Sequence, residues 1–198
     1  MGVKNYLVEG VSCSGKTSVA TELQRQGYHV IHGDRELAYK GDPKTGLPLE
    51  GRQGGAWDTD AASAHRHHLW CVERVKDLAA DQSHAATFFC GGARNIFTFI
   101  GLFDAVFILK LDRATLEKRL SARPEDEFGG KAEEQAFILA LHESGQTFRR
   151  KASQSIPPSP SKQLLRSCYP TPTGSNSGIS DRAARPPTVF RRSQCSAQ

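Results

Sequence analysis

The chain has 198 residues, enough for one domain with a sizeable core and too few for two comfortable ones. Its formal net charge of +5 is unevenly placed: residues 1–150 hold 19 Lys and Arg against 20 Asp and Glu, whereas residues 151–198 hold 7 against 1. The predicted domain therefore lacks the basic character that nucleic-acid binding requires, and nucleic acid is not its expected partner.

Cysteine usage and the N-terminus bear on the compartment. The five cysteines form no CxxC pair, and their odd number argues against a complete disulfide framework. The chain enters a strand-like run within six residues, without a charged region followed by an apolar signal core, and no apolar stretch approaches membrane-spanning length. These features predict a cytoplasmic protein without a membrane partner, and they leave the oligomeric state open.

Apolar runs alternate with amphipathic segments, which predicts parallel strands joined by helices, an α/β fold. The predicted strands span residues 5–9, 28–34, 85–92 and 104–112. The predicted helices span residues 16–26, 61–81, 94–103, 113–123 and 131–144. Residues 35–58 are rich in Gly and charge and weakly periodic, which predicts a long loop.

The predicted domain covers residues 1–148, and residues 149–198 form a basic Ser/Pro-rich tail. The last 48 residues contain 10 Ser and 7 of the 10 Pro, so they cannot bury enough surface to offset the entropy of ordering. We therefore expect the tail to be disordered. Its composition also suggests a chain read in the wrong frame, a hypothesis that the other reading frames of the coding DNA would test.

The stretch YLVEGVSCSGKTSVA, residues 6–20, fits GxxxxGK[ST] between a predicted strand and a predicted helix. Backbone amides in such a loop and at the helix N-terminus attract phosphate oxygens. Lys16 is expected to reach the β- and γ-phosphates, and the Thr17 hydroxyl to join a Mg²⁺ shell. The residues predicted to bind ATP are Gly10, Ser12, Cys13, Ser14, Gly15, Lys16, Thr17 and Ser18. A Gly-rich turn without a ligand is the alternative.

The motif GVSCSGKT followed by VIHGDREL resembles the small P-loop kinases, which include nucleoside monophosphate, shikimate, gluconate and adenylylsulfate kinases. The segments FFCGGARN and RPEDEFGG are also similar to uncharacterised bacterial nucleoside-kinase-like proteins. The resemblance covers residues 1–142. It implies a P-loop NTPase fold with three α/β/α layers around a parallel sheet, and ATP and Mg²⁺ as cofactors. It also implies a fifth strand, for which the tail offers no convincing pattern.

The resemblance implies roles for residues near the ends of two strands. Asp34 matches an acceptor-binding or magnesium-linked carboxylate, which can orient the acceptor and take its proton; a solvated turn aspartate is the alternative. Arg35 could meet an anionic substrate. Gly91, Gly92 and Arg94 match an acceptor-binding turn, with a ligand-free helix start as the alternative.

Arg119 and Arg123, four residues apart on one predicted helix, match lid arginines that neutralise charge on the transferring phosphoryl group. The alternative is an exposed helix face that pairs with Glu117 and Glu125. The histidines 65, 67 and 68 are predicted on the solvated side of a long helix, because their spacing does not form a zinc site.

The sequence therefore predicts a kinase that moves the γ-phosphate of Mg-ATP to a small-molecule acceptor, either a nucleoside or nucleotide or a polar metabolite. Lys16, Asp34, Arg119 and Arg123 are its candidate catalytic residues. Two alternatives stay open. One is a nucleotide-binding regulatory protein with weak or no kinase activity, and the other is nucleic-acid binding through the basic tail.

Overall fold

A computed structural model of the chain describes residues 3–49 and 60–145; the predicted tail and part of the predicted long loop lie outside these ranges. The strands are β1 (Lys4–Glu9), β2 (His29–His32), β3 (Ala38–Lys40), β4 (His68–Trp70), β5 (Ala86–Cys90) and β6 (Ala105–Ile108). The helices are α1 (Lys16–Arg25), α2 (Gly33–Glu36), α3 (Ala61–Arg66), α4 (Val72–Ala80), α5 (Arg113–Ser121) and α6 (Ala132–Ser144).

A four-stranded parallel sheet in the order β2-β5-β1-β6 organises the chain, which confirms an α/β architecture with a parallel sheet. Strand β1 is central, with Leu7 opposite Phe89 on β5 and Val106 on β6. Because all four strands run the same way, their carboxyl ends meet at one edge of the sheet. The segments that follow β1, β2 and β5 therefore lie side by side.

Both faces of this sheet carry apolar side chains, because successive strand residues point to opposite sides. On one face, Leu7 and Phe89 belong to a buried cluster that includes Val75 of α4. On the other face, Val8 belongs to a cluster that includes Leu23 of α1. Helix α4 therefore packs on one face of the sheet and helix α1 on the other.

A third apolar cluster joins α5 and α6 to the segment after β1. Val11 packs there with Leu116 and Leu120 of α5 and Ile138 of α6, and all four side chains are buried. The two helices are also linked by an ion pair between Arg113 and Glu143. This packing holds α5 and α6 against the Gly-rich loop.

The predicted helix over residues 61–81 is wrong. The segment forms α3, then β4, then α4, and β4 pairs antiparallel with β3, which lies inside the predicted long loop. Apolar spacings of three and four continue across the break, but Trp70 is fully buried and its backbone N–H donates to Asn95 Oδ1 at 3.0 Å. Tertiary pairing therefore overrides the local helical period.

Two further predictions need correction. Residues 94–103 form two short 3₁₀ turns, Ile96–Thr98 and Ile100–Leu102, instead of an α-helix. Their buried side chains, Ile96, Phe99 and Phe103, anchor the segment in the core by burial without a regular period. Strand β2 ends at His32, so Gly33 and Asp34 begin α2 instead of ending a strand.

The resemblance implied a fifth strand, and the parallel sheet contains four within the described ranges. None of the helices in residues 3–49 and 60–145 has the length and apolar character that crossing a bilayer requires.

Candidate functional site

The loop after β1 wraps tightly instead of extending. Cys13 and Gly15 both adopt left-handed backbone conformations, with φ of +62° and +101°. The Ser14 N–H donates to the Val11 carbonyl oxygen at 3.1 Å, which closes a turn. A Cβ atom on Gly10 would lie 2.5 Å from Ser14 Oγ, so this position accepts only glycine without rearrangement.

Backbone N–H groups of this loop and of the first turn of α1 are available to a ligand. The first intrahelical bond runs from the Val19 N–H to the Gly15 carbonyl at 3.0 Å. In the described part of the chain, the N–H groups of residues 15–18 have no acceptor. Together with the positive end of the α1 dipole, they favour an anion at this point.

Lys16 adds a full positive charge beside these amides. Its Nζ folds back over the loop and donates to the carbonyl oxygens of Gly10 at 2.8 Å and Val11 at 3.2 Å. Burial lowers the pKa of Lys16, and the negative charges of Asp34 and Glu9 oppose that effect. The ammonium group therefore lies inside the site with few solvent contacts. Its hydrogen bonds to the carbonyl oxygens could be replaced by hydrogen bonds to other acceptors.

A cavity of about 360 Å³, here the loop cavity, lies over these groups. Its walls are the loop and first turn of α1, then Asp34, Arg119 and Arg123. Among the predicted ATP-binding residues, Ser12, Cys13, Gly15, Lys16, Thr17 and Ser18 line it directly. Gly10 and Ser14 do not line it, but they hold the loop in its tight conformation.

Arg119 and Arg123 both reach the loop from α5 and the turn after it. Arg119 Nη1 donates to the Cys13 carbonyl at 3.1 Å, and Arg123 Nη1 donates to Cys13 Sγ at 3.3 Å. Arg123 Nη2 also pairs with Glu127 at 3.0 Å. The structure thus brings both predicted arginines to the loop, whereas Glu117 pairs with Arg113.

Asp34 lies at the start of α2, at the mouth of the loop cavity, with its side chain 46% exposed. Its Oδ1 accepts from the Gly92 N–H at 3.1 Å and lies 3.2 Å from His68 Nε2. A Cβ atom on Gly91 would lie 2.7 Å from Asp34 Oδ1, so glycine is required for this approach. Burial alone would raise the pKa of Asp34, but the His68 hydrogen bond, the Lys16 charge and the Gly92 N–H outweigh it and lower the pKa.

Glu9 is a candidate that the sequence reasoning missed. It ends β1 directly before the loop, is only 2% exposed, and its Oε1 lies 3.6 Å from Arg94 Nη2. Its Oε2 is buried without a hydrogen-bond partner among the described residues. Burial raises the pKa of Glu9 to about 7, although the charges of Arg94 and Lys16 act in the opposite direction. An acidic residue at the end of an apolar strand was the available signal.

A second cavity of about 320 Å³ adjoins the first; we call it the histidine cavity because His65 and His68 line it. Gly92, Arg94 and Lys40 also line it, as do apolar side chains of α6. The two cavities share Ser12, Lys16, Asp34 and Arg123. The prediction that these histidines lie on the solvated side of one long helix is wrong, because His68 belongs to β4.

The remaining predicted site residues, Arg35 and Gly91, lie near the two cavities without lining either of them. Arg35 is exposed on α2 and lines neither the loop cavity nor the histidine cavity. Gly91 is buried, and its N–H donates to the Val8 carbonyl at 3.0 Å. In residues 3–49 and 60–145, no group of three or more His, Cys, Asp or Glu side chains forms a metal cluster.

A scan against protein-family models found no match for this chain, and a search of curated proteins found none. Its function must therefore be inferred from the residues and their geometry.

Proposed function

We propose that this chain is a phosphotransferase of the P-loop NTPase type, with three α/β/α layers, that moves the γ-phosphate of Mg-ATP to a small-molecule acceptor. The observation that carries the proposal is the pair of adjoining cavities, which share Ser12, Lys16, Asp34 and Arg123. Direct transfer needs a donor site and an acceptor site with charged groups at their junction. A single anion-binding loop without the second cavity would support only nucleotide binding.

The loop cavity is the proposed donor site. The N–H groups of residues 15–18, which have no acceptor within residues 3–49 and 60–145, would donate to the phosphate oxygens of ATP. Lys16 Nζ would leave the carbonyl oxygens of Gly10 and Val11 and pair with the β- and γ-phosphates.

Two oxygen-bearing side chains in the loop cavity fit Mg²⁺. Thr17 supplies an exposed hydroxyl, and Asp34 supplies a carboxylate whose lowered pKa keeps it ionised at neutral pH. Mg²⁺ commonly takes one or two protein oxygens and completes its shell with phosphates and water. When bound, the ion would neutralise charge on the transferring phosphoryl group.

Asp34 is the carboxylate that lines both cavities, and it would act on the acceptor hydroxyl. It would orient the hydroxyl, because its ionised Oδ1 is fixed by Gly92 and His68. It would also accept the proton as the hydroxyl oxygen forms its bond to the γ-phosphorus and ADP leaves. Glu9 is buried behind this point and lines neither cavity, so its contribution would be to hold Arg94, 3.6 Å away.

Arg119 and Arg123 would stabilise the charge that develops on the transferring group. Both guanidinium groups now donate to Cys13, whose backbone and thiol line the same cavity. A polyphosphate in the loop cavity would offer them stronger, charged acceptors. This exchange would draw α5 toward the bound donor.

The test is a coupled assay that follows ADP release from Mg-ATP across panels of nucleosides, nucleotides, sugar acids and polyols. The proposal predicts release that depends on one acceptor class and is lost in Lys16→Ala. Lys118→Ala on the exposed side of α5 is the control, because that side chain lines neither cavity. Acceptor-independent release would reject the transfer reaction, and ATP binding without any release would favour the regulatory alternative.

A further inference from the structure

We propose that the histidine cavity binds a nucleoside, a planar heterocycle joined to a sugar hydroxyl, and that His65 is the residue that selects it. This inference rests on the proposed phosphotransfer function and decides between the acceptor classes that the sequence leaves open.

The cavity has two chemically different sides. One side is charged: Asp34 is fixed by Gly92 and His68, and Arg94 lies 3.6 Å from Glu9. The other side is apolar, formed by Val11, Phe128, Ile138 and Leu141, which belong to one packed cluster. A molecule that fills both sides needs a polar group at one end and an apolar face at the other.

A polyol or sugar acid fits this division poorly. Each hydroxyl held against the apolar wall would lose its hydrogen bonds to water without replacement, which costs free energy. A heterocyclic ring instead presents flat faces that can pack on the partly buried Phe128 and Leu141, and it keeps its polar atoms at the edge. The volume of about 320 Å³ is at the small end of ligand pockets, which suits a molecule of nucleoside size.

His65 is positioned to read that polar edge. Its ring lies edge-on to Phe137, with centroids 5.2 Å apart, and it lines the cavity from α3. Burial, helped by the charge of Arg94 and by His68, lowers the pKa of His65 to about 4, so the imidazole is neutral at physiological pH. A neutral imidazole offers one donor and one acceptor, whereas the charged ring offers donors only.

Among residues 3–49 and 60–145, the ring nitrogens of His65 have no hydrogen-bond partner. A half-buried imidazole between an aromatic ring and a cavity therefore has its donor and its acceptor available to a ligand. Nucleobase edges carry donors and acceptors side by side. This match distinguishes a nucleoside from a purely apolar ligand of the same volume.

The charges favour a nucleoside over a nucleotide. A nucleoside monophosphate would bring about two further negative charges into the cavity. Lys16 and Arg123 line both cavities and are assigned to the phosphates of the donor by the proposed function. The other cations of the histidine cavity are Lys40, which donates to the Ala64 carbonyl at 3.2 Å, and Arg94, which lies 3.6 Å from Glu9. A second phosphate would have to share these two cations with the carboxylates of Asp34 and Glu9.

The experiment is calorimetric titration of the full chain with a non-hydrolysable ATP analogue and Mg²⁺ present. The ligands are the common nucleosides, their 5′-monophosphates, gluconate and shikimate. We expect at least one nucleoside to bind about tenfold or more tightly than its monophosphate and the two acids. Tighter binding of a monophosphate or an acid, or no nucleoside binding at millimolar concentration, would overturn the inference.

Variants test the role of His65. His65→Leu should weaken nucleoside binding about tenfold and raise KM while kcat is largely kept, because it removes the donor and the acceptor but keeps the packing on Phe137. His65→Gln, which carries both groups, should recover part of the loss. His84→Leu is the matched control, since His84 stacks on His29 away from the cavity. Equal affinity in His65→Leu and the wild type would refute selection by His65.

These experiments distinguish a failure of nucleoside binding from a failure of phosphate transfer. A chain that binds nucleosides but transfers no phosphate keeps this inference and loses the proposed function. A chain that phosphorylates a sugar acid and ignores nucleosides keeps the proposed function and loses this inference.

Discussion

Replacing Glu9 by glutamine should stabilise the fold at alkaline pH. Burial raises the pKa of Glu9 from 4.5 to about 7, so folding disfavours the ionised form. Linkage then makes the wild type lose stability as pH rises from 4.5 to 7, and the loss is complete above pH 7. Glutamine is neutral at every pH and escapes this loss.

The size of the effect follows from the shift in pKa. The raised pKa of Glu9 should lower the free energy of unfolding of the wild type by about 1 kcal/mol at pH 5.0 and by about 3 kcal/mol at pH 8.5. The free energy of unfolding of Glu9→Gln should therefore exceed that of the wild type by about 2 kcal/mol more at pH 8.5 than at pH 5.0.

Urea denaturation followed by circular dichroism at the two pH values measures the difference. Glu133→Gln, at an exposed position of α6, is the control and should show no pH-dependent gain. A gain in Glu9→Gln that is equal at both pH values, or larger at pH 5.0, would refute the buried ionisation of Glu9.

Three other substitutions test the junction of the cavities. Arg123→Gln should lower kcat on the order of 100-fold, with ATP affinity largely kept. Lys118→Gln, at an exposed position of α5, should leave kcat unchanged. Equal activities of the two variants would contradict the role of Arg123. Gly91→Ala should displace Asp34 and Trp70, since the new Cβ would lie 2.7 Å and 2.6 Å from them, and activity equal to wild type would show that the approach is not needed. Asp34→Asn should lower kcat at every pH from 6 to 9 and should cost more stability at pH 7 than at pH 3. The lowered pKa means that folding favours the ionised carboxylate, so Asp34 stabilises the fold only at pH values at which it is ionised. A loss of stability that does not depend on pH would contradict this reasoning.

Local patterns predicted the parts of the fold that depend on neighbouring residues. Strand β1, the loop and helix α1 follow from a short apolar run, two glycines and an amphipathic segment, and all three are present. The predicted strands at 85–92 and 104–112 are confirmed as β5 and β6, although both are shorter. These elements are buried, so their apolar runs are unambiguous.

The sequence could not reveal contacts between distant segments. The antiparallel pair of β3 and β4 joins residues about 30 positions apart, and the apolar spacing around β4 imitates a helix. His68 reaches Asp34 only because these strands pair, and Glu9 meets Arg94 only because β1 and β5 are neighbours. All of these contacts join distant parts of the chain, where local periodicity carries no information.

The most direct test of the central claim is hydrogen–deuterium exchange of the full chain with and without Mg-ATP. The backbone N–H groups of residues 15–18 have no acceptor in the described part of the chain, so they should exchange rapidly when no ligand is bound. The account predicts that Mg-ATP slows exchange in the peptide that covers residues 10–18, and that Lys16→Ala greatly weakens this protection. Unchanged exchange there at concentrations of Mg-ATP that produce binding heat would contradict phosphate binding by this loop.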